Sequence, residues 1–244
     1  MGEESPPEGW LVTFWERRGD LLTTAMLAAA TLLTAWAAFQ SAKWSGVQAI
    51  AFSEAGANRT ESTRASTTAG QQTTIDVNVF LSWLDAAQVV ADEPEFRGDD
   101  EVSPALLRSI TEEGTLAAFL FQRFRDEFKP AVEAWLATEP FVNPNAPPTP
   151  FAMEEYQLAA ADEADELRLA AEGRAADARN NNQQSDDYVI LTVLFASVLF
   201  FAGLSMKMAA RWSQIAIFAL GLLLLLVAFI SLLAQPVEFS ESLF

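Results

Sequence analysis

Carboxylates are the only reactive side chains this sequence carries in quantity. Asp162, Asp165 and Glu166 recur at i, i+3 and i+4, which puts them on one face of a helix, while Asp92, Glu93, Glu95, Asp99, Asp100 and Glu101 crowd one loop. Oxygen donors at that density suit a hard cation such as calcium, yet neither group follows the EF-hand spacing, and acidic surfaces carry the same pattern without a ligand. Acid-base catalysis by paired carboxylates needs two groups facing each other across a cleft, whereas the neighbours Glu112 and Glu113, or Glu154 and Glu155, diverge on a helix. The expectation is a solvated acidic surface in a non-enzymatic protein without a cofactor, with a divalent cation as the alternative.

The missing residue types narrow the chemistry further. The chain has no His and no Cys, so it cannot build by itself a Ser-His-Asp triad, a thiol nucleophile, a His-ligated zinc site or a disulfide framework. With 33 Asp and Glu against 15 Lys and Arg, its formal net charge of −18 argues against a nucleic-acid partner, which selects for a basic face. So acidic a chain is nonetheless 51% hydrophobic with a mean hydropathy of +0.15, which requires the apolar residues to be segregated from the charged ones.

Three uncharged stretches do that. Leu21–Phe39, Val189–Met206 and Trp212–Ala234 each hold roughly 18 residues or more, enough at about 1.5 Å per helical residue to cross a hydrocarbon core of about 30 Å. The first stretch is also weighed as a cleaved signal, since Arg17 and Arg18 precede it and Ala35-Trp36-Ala37 has small-x-small character. Its length exceeds a signal's apolar region and favours retention as an anchor. The paired arginines lack the rest of a twin-arginine signal.

Basic residues set the orientation. Arg17 and Arg18 flank the first span, and Lys207 and Arg211 are the charges of the turn between the other two, so all four can lie on the cytoplasmic side, with Lys43 the one dissenter. The predicted order is a cytoplasmic segment 1–20, span 21–39, an extracytoplasmic domain 40–188, span 189–206, a cytoplasmic turn 207–211, span 212–234 and an extracytoplasmic tail 235–244. Trp10, Trp15, Trp44, Tyr188 and Trp212 fall near span ends, where amphipathic rings favour the headgroup region.

No ionisable residue lies inside a span, unlike most transport pathways. Thr24, Ala28, Thr31, Ala35 and Ala38 form one stripe of the first span, read as a helix-packing face of small and hydroxyl residues, with Ala25 and Ala29, Gly203 and Gly221 fitting the same reading. The alternative is that this stripe lines a pore in an oligomer, the chain then being a channel or a channel accessory subunit.

The intervening segment 41–187 holds 26 acidic and 11 basic residues and no strand or hairpin signal, so an all-α fold is expected. Apolar spacing predicts continuation of the first helix through Gln40–Ala57, a Ser/Thr-rich stretch Arg59–Thr74 of lower helix propensity, and an amphipathic face Ile75, Val79, Trp83, Ala86 and Val90. Ser103 before Pro104 reads as an N-cap; Leu116, Phe119, Leu120, Phe124 and Phe128 read as one stripe, with a break at Pro130 before Val132, Trp135 and Leu136. Residues 140–150 read as a proline-rich loop, and Phe151–Asp187 as an Ala-rich helix with a narrow stripe through Met153, Tyr156, Ala160, Ala164, Leu167 and Ala171. Asn180–Asn182 marks either continuation into the second span or a joint. The Asn58-Arg59-Thr60 sequon matters only in a glycosylating pathway, and a Cys-free external segment points to a bacterial envelope.

Gln40-Ser41-Ala42-Lys43-Trp44-Ser45-Gly46-Val47-Gln48, the hairpin from Tyr188, and Lys207-Met208-Ala209-Ala210-Arg211-Trp212 together give the chain a layout that resembles uncharacterised bacterial three-span inner-membrane proteins of a domain-of-unknown-function type. The resemblance covers both ends but little of residues 75–150, and it implies no activity, cofactor or catalytic residue. The sequence therefore predicts a structural or interaction component of a bacterial cytoplasmic membrane. Its expected partners are the lipid bilayer and either further copies, through the first span and the Ala-rich helix, or other membrane proteins.

Overall fold

The computed structural model describes residues 10–96, 103–112, 114–141 and 143–239, and among them every regular element is helical. In order these are α1 (Trp10–Ala91), α2 (Pro104–Thr111), α3 (Leu116–Phe121), α4 (Lys129–Leu136), a 3-10 turn (Pro150–Ala152), α5 (Ala159–Ser205) and α6 (Arg211–Ala234). Three of them, α1, α5 and α6, are long and apolar enough to cross a membrane.

The first two predicted spans are parts of longer helices. α1 runs 82 residues without a break, and α5 carries the second span and the preceding acidic segment in 47. The Ser/Thr-rich stretch stays helical because its hydroxyls do not compete for backbone donors. Thr60, Thr63, Thr67, Thr68, Thr73 and Thr74 each donate to the carbonyl four residues back, at 2.8–3.1 Å, a bond that helical geometry offers and that leaves the backbone ladder intact. The three asparagines likewise lie within α5, where Asn182 Nδ2 donates to Asp186 Oδ2 at 3.0 Å one turn on.

The chain divides into two compact units, one of Met1–Ala55 and Glu172–Phe244 and one of Gly56–Ala171. The division falls well inside α1 and α5, so residues 40–55 and 172–188 belong with the spans and not with the rest of the polar segment.

In the span unit α1 and α5 run antiparallel: Ser185 meets Ser45 and Ser41 hydroxyls at 2.9 and 3.1 Å, and farther up α1 Glu54 pairs with the earlier residue Arg174 at 3.0 Å. Met26 and Ala30 pack with Val198 and Ala202, and Ala37 with Tyr188, Leu191, Phe195, Ala228 and Leu232. Lipid tails are as apolar as these side chains, so close van der Waals packing carries the association here, and small residues allow it. Gly221 of α6 is such a point. A Cβ there would sit 3.2 Å from both Met26 Cε and Phe201 Cβ. Gly221→Ile is expected to force α6 outward and cost about 1–3 kcal/mol, read as a lower thermal midpoint in detergent, while Gly203→Ala, with nothing within 4 Å, leaves the midpoint unchanged.

The Gly56–Ala171 unit closes around an aromatic core: Phe80, Trp83, Phe121, Phe124, Phe128 and Trp135 are buried, with Phe151 and Tyr156 packed against them. Phe128 stacks on Phe151 at 5.0 Å between centroids, and Trp83 Nε1 donates to the Ile110 carbonyl at 3.0 Å. The Ser103 cap holds: its hydroxyl accepts from the Leu106 amide at 3.2 Å, with Pro104 opening α2. Trp135 Nε1 donates to the Pro147 carbonyl at 2.7 Å and so ties the proline-rich loop to the core.

Three local expectations change. Ile75 is exposed, and the inward face of this part of α1 runs through Asp76, Phe80, Trp83, Ala86, Ala87 and Val90 with Val79 half-buried against it, so the predicted face shifts by one residue only at its start. Leu116 and Phe119 are exposed, because the stripe predicted as one helix is α3, capped by Thr115, then a turn that brings Phe124 and Phe128 inward. The Ala-rich helix begins at Ala159, not Phe151, since Phe151 and Tyr156 are drawn into the aromatic core instead.

Candidate functional site

Thr24, Ala28, Thr31, Ala35 and Ala38 are all exposed. The stripe of α1 that packs within the chain lies beside them and comprises Gly19, Thr23, Met26, Ala30, Ala37 and Gln40. Thr24 and Thr31 hydroxyls donate to the Asp20 and Leu27 carbonyls at 2.7 and 2.8 Å, so the proton of each is directed along the helix and not away from it. On the Ala-rich helix the small stripe is used within the chain: Ala164, Ala171, Ala175 and Ala178 are buried, and Ser62 Oγ donates to the Ala164 carbonyl at 2.7 Å.

Arg17, Arg18, Lys207 and Arg211 are exposed and share one end of the span unit. That end is tied by Trp15, whose Nε1 donates to Gln214 Oε1 at 3.1 Å and whose ring meets Phe218 at 4.9 Å, and by Gln214 Nε2, which donates to the Met208 carbonyl at 2.7 Å. Glutamine at the start of α6 therefore fixes both the turn and the neighbouring helix.

The other end holds a clasp that sequence spacing did not reveal. The Gln40 side chain, with no exposed surface, reads the backbone of Glu238 in both directions: its Oε1 accepts the amide at 3.0 Å, and its Nε2 donates to the carbonyl at 3.4 Å. Trp44 Nε1 and the Tyr188 hydroxyl both donate to the Pro236 carbonyl, at 3.3 and 3.0 Å. α1 and α5 together thus hold the extended tail that follows α6. Trp15 and Gln40 are 25 residues apart on α1, about 37 Å along the axis, which places these polar layers near the edges of a hydrocarbon core of about 30 Å. A glutamine at a span end and a proline just past α6 are the signals that mark the clasp. Gln40→Leu strands the Glu238 amide and carbonyl, and the tail is expected to leave, read as several-fold faster hydrogen exchange of the Glu238 amide.

The strongest electrostatic site lies in the aromatic unit. Asp76, 1% exposed, receives a two-pronged guanidinium from Arg125, with Nε and Nη2 each 3.0 Å from a carboxylate oxygen, and the Tyr156 hydroxyl donates to the same carboxylate at 3.2 Å. Arg125 Nη1 also donates to Glu127 at 2.6 Å, and the other Glu127 oxygen accepts the Ala159 amide, the first of α5, at 3.2 Å. The site thus joins α1, the α3–α4 turn and the start of α5, and it closes the unsatisfied amide end of a helix with a negative charge. Its hydrogen bonds to Asp76 hold Arg125 even more firmly in the charged form than an ordinary guanidinium. Arg125 and then the Ala159 amide hold the Glu127 carboxyl below the usual range, while burial pushes the Tyr156 phenol up. At neutral pH Arg125 and Glu127 are therefore charged and Tyr156 neutral. The arrangement is a structural tie, and sequence reasoning missed it because the partners stand 49 residues apart; an aspartate four residues before Phe80 on a buried face was the available signal.

The helical acidic cluster is solvated. Asp162, Asp165 and Glu166 are exposed, and Asp165 pairs with Arg168 at 3.2 Å. Among the described residues no three carboxylates converge to hold a metal ion. Glu112, Glu154 and Glu155 are exposed; Glu113, Asp99, Asp100 and Glu101 lie outside the described residues, as does part of the 235–244 tail. An open hollow of about 640 Å³ lies among α2, α3 and α4, lined by Leu107, Thr111, Phe121, Lys129, Glu133 and Leu136 among others. Compared with family models, curated proteins and solved structures, the chain matches none.

Proposed function

We propose that this chain is a non-enzymatic, multi-pass component of a bacterial cytoplasmic membrane that works by holding other proteins, including further copies of itself, and that carries residues 56–171 on the extracytoplasmic side. The observation that carries the reading is the division of α1 into two stripes: one packs against α5 and α6, while Thr24, Ala28, Thr31, Ala35 and Ala38 stay exposed and small over the length of the span. An exposed small-residue stripe lets a second helix approach closely enough for packing to drive association in lipid. Since the Ala-rich stripe of α5 is already buried within the chain, self-association falls to the first span alone. Arg17, Arg18, Lys207 and Arg211 support a cytoplasmic turn and N-terminus.

The test is native mass spectrometry of the complex extracted gently from its own membrane. A defined oligomer or a defined foreign partner, lost on Ala28→Leu with Ala35→Leu, supports the reading, and monomer alone contradicts it. The second reading, an oligomeric channel lined by the same stripe, predicts conductance in planar bilayers that Thr31→Leu reduces. The backward-bonded Thr24 and Thr31 hydroxyls favour packing over pore lining.

A further inference from the structure

We propose that the hollow among α2, α3 and α4 is a docking site for a short basic helix with an apolar face, supplied by another protein. The inference deepens the binding-component reading by naming a partner class, and it rests on that reading. Its floor is apolar: Phe121 and Leu136 are nearly buried, and Leu107 of α2 forms a wall 37% exposed. The rim is charged, with Glu112 and Glu133 exposed and Lys129 Nζ drawn back over the Phe121 ring at 5.4 Å. Glu112 is shared with Arg108 at 3.7 Å, and Glu133 of α4 is the other carboxylate of the lining.

Shape and charge choose the occupant. α4 lines the hollow from Lys129 to Ala137, two helical turns or about 12 Å, a stretch that two turns of a docked helix with apolar anchors at i and i+3 or i+4 can follow. Residues 56–171 carry 21 carboxylates against 8 cations, an excess of 13 negative charges. A second copy of this unit brings the same field and is repelled, whereas a Lys- or Arg-bearing helix is steered in. The sites of contact are then a Leu-sized side chain between Leu107 and Leu136, and a cation on Glu133.

The test uses the full chain in zwitterionic lipid nanodiscs and a fluorescein-labelled peptide of about 14 residues, Leu at helical i, i+3, i+4 and i+7 spacing and Lys elsewhere. Binding above empty discs is expected, weakened about tenfold by Leu107→Glu with Glu133→Lys, two rim positions whose replacement leaves the thermal midpoint near that of the parent. A Glu-for-Lys version of the peptide is expected not to bind, and a Ser-for-Leu version to bind far more weakly. Equal binding by the Ser version, equal binding to the double variant, no binding above empty discs, or a chain dimer abolished by Leu107→Glu each overturns the proposal. These failures are distinct from failure of the parent reading, which the mass of the native complex decides.

Discussion

Replacing Arg125 with Met is expected to destabilise the aromatic unit by about 3–5 kcal/mol, because it leaves Asp76 charged and 1% exposed with only the Tyr156 hydroxyl, at 3.2 Å, and no cation. The guanidinium side is itself only 24% exposed, so solvent screening does little to soften the loss. Removing both charges, as Asp76→Leu with Arg125→Met, is expected to recover much of the stability, since the buried carboxylate is gone and Glu127, 34% exposed, keeps water and the Ala159 amide. Urea titration followed by tryptophan fluorescence measures both variants against the parent chain. The same site sets the acid response. Glu127 has its pKa depressed in the fold, so its contribution is complete above the unfolded value of about 4.3 and is lost as the pH falls through the lower folded value. The parent chain is therefore expected to weaken on acidification below about pH 4, and Glu127→Gln to flatten that part of the profile.

Trp83→Ala is expected to cost about as much, roughly 3–5 kcal/mol, through the cavity left when a fully buried indole is removed from the aromatic cluster. Its ring meets Phe80, Phe121 and Phe124 at centroid distances of 5.8, 6.2 and 6.0 Å, so three neighbours lose contacts together. Trp83→Phe keeps most of the ring volume and loses chiefly the bond to the Ile110 carbonyl, about 1 kcal/mol. Amide hydrogen exchange reads where the loss falls. Protection is expected to drop within Gly56–Ala171, with little change in the span unit.

Much of this architecture is legible in composition and spacing. Leu21–Phe39, Val189–Met206 and Trp212–Ala234 lie within α1, within or at the end of α5, and within α6, and the Ser103-Pro104 start of α2 stands at its predicted place. What spacing does not convey is where long helices stop. Thr60–Thr74 looks helix-poor residue by residue, but hydroxyls that bond four residues back fit the helix they were expected to weaken. Periodicity also treats each segment alone, so it merged α3 and the following turn into one stripe; the Asp76–Arg125 pair and the inward turn of Phe124 and Phe128 are tertiary. The Gln40 clasp is tertiary too: a glutamine at a span end and a proline just past α6 mark it, but the bond joins residues 198 apart through backbone groups that spacing does not pair.

Membrane topology underlies the whole account, and labelling of single cysteines in the otherwise Cys-free chain tests it most directly. Ala170→Cys, Ala209→Cys and Val237→Cys all sit at exposed positions. In intact cells a membrane-impermeant maleimide is expected to label positions 170 and 237, and to reach 209 only after permeabilisation. Labelling of 209 and 237 from the same side, or of 170 and 237 from opposite sides, would contradict three spans with residues 56–171 and the clasped tail on one face of the membrane.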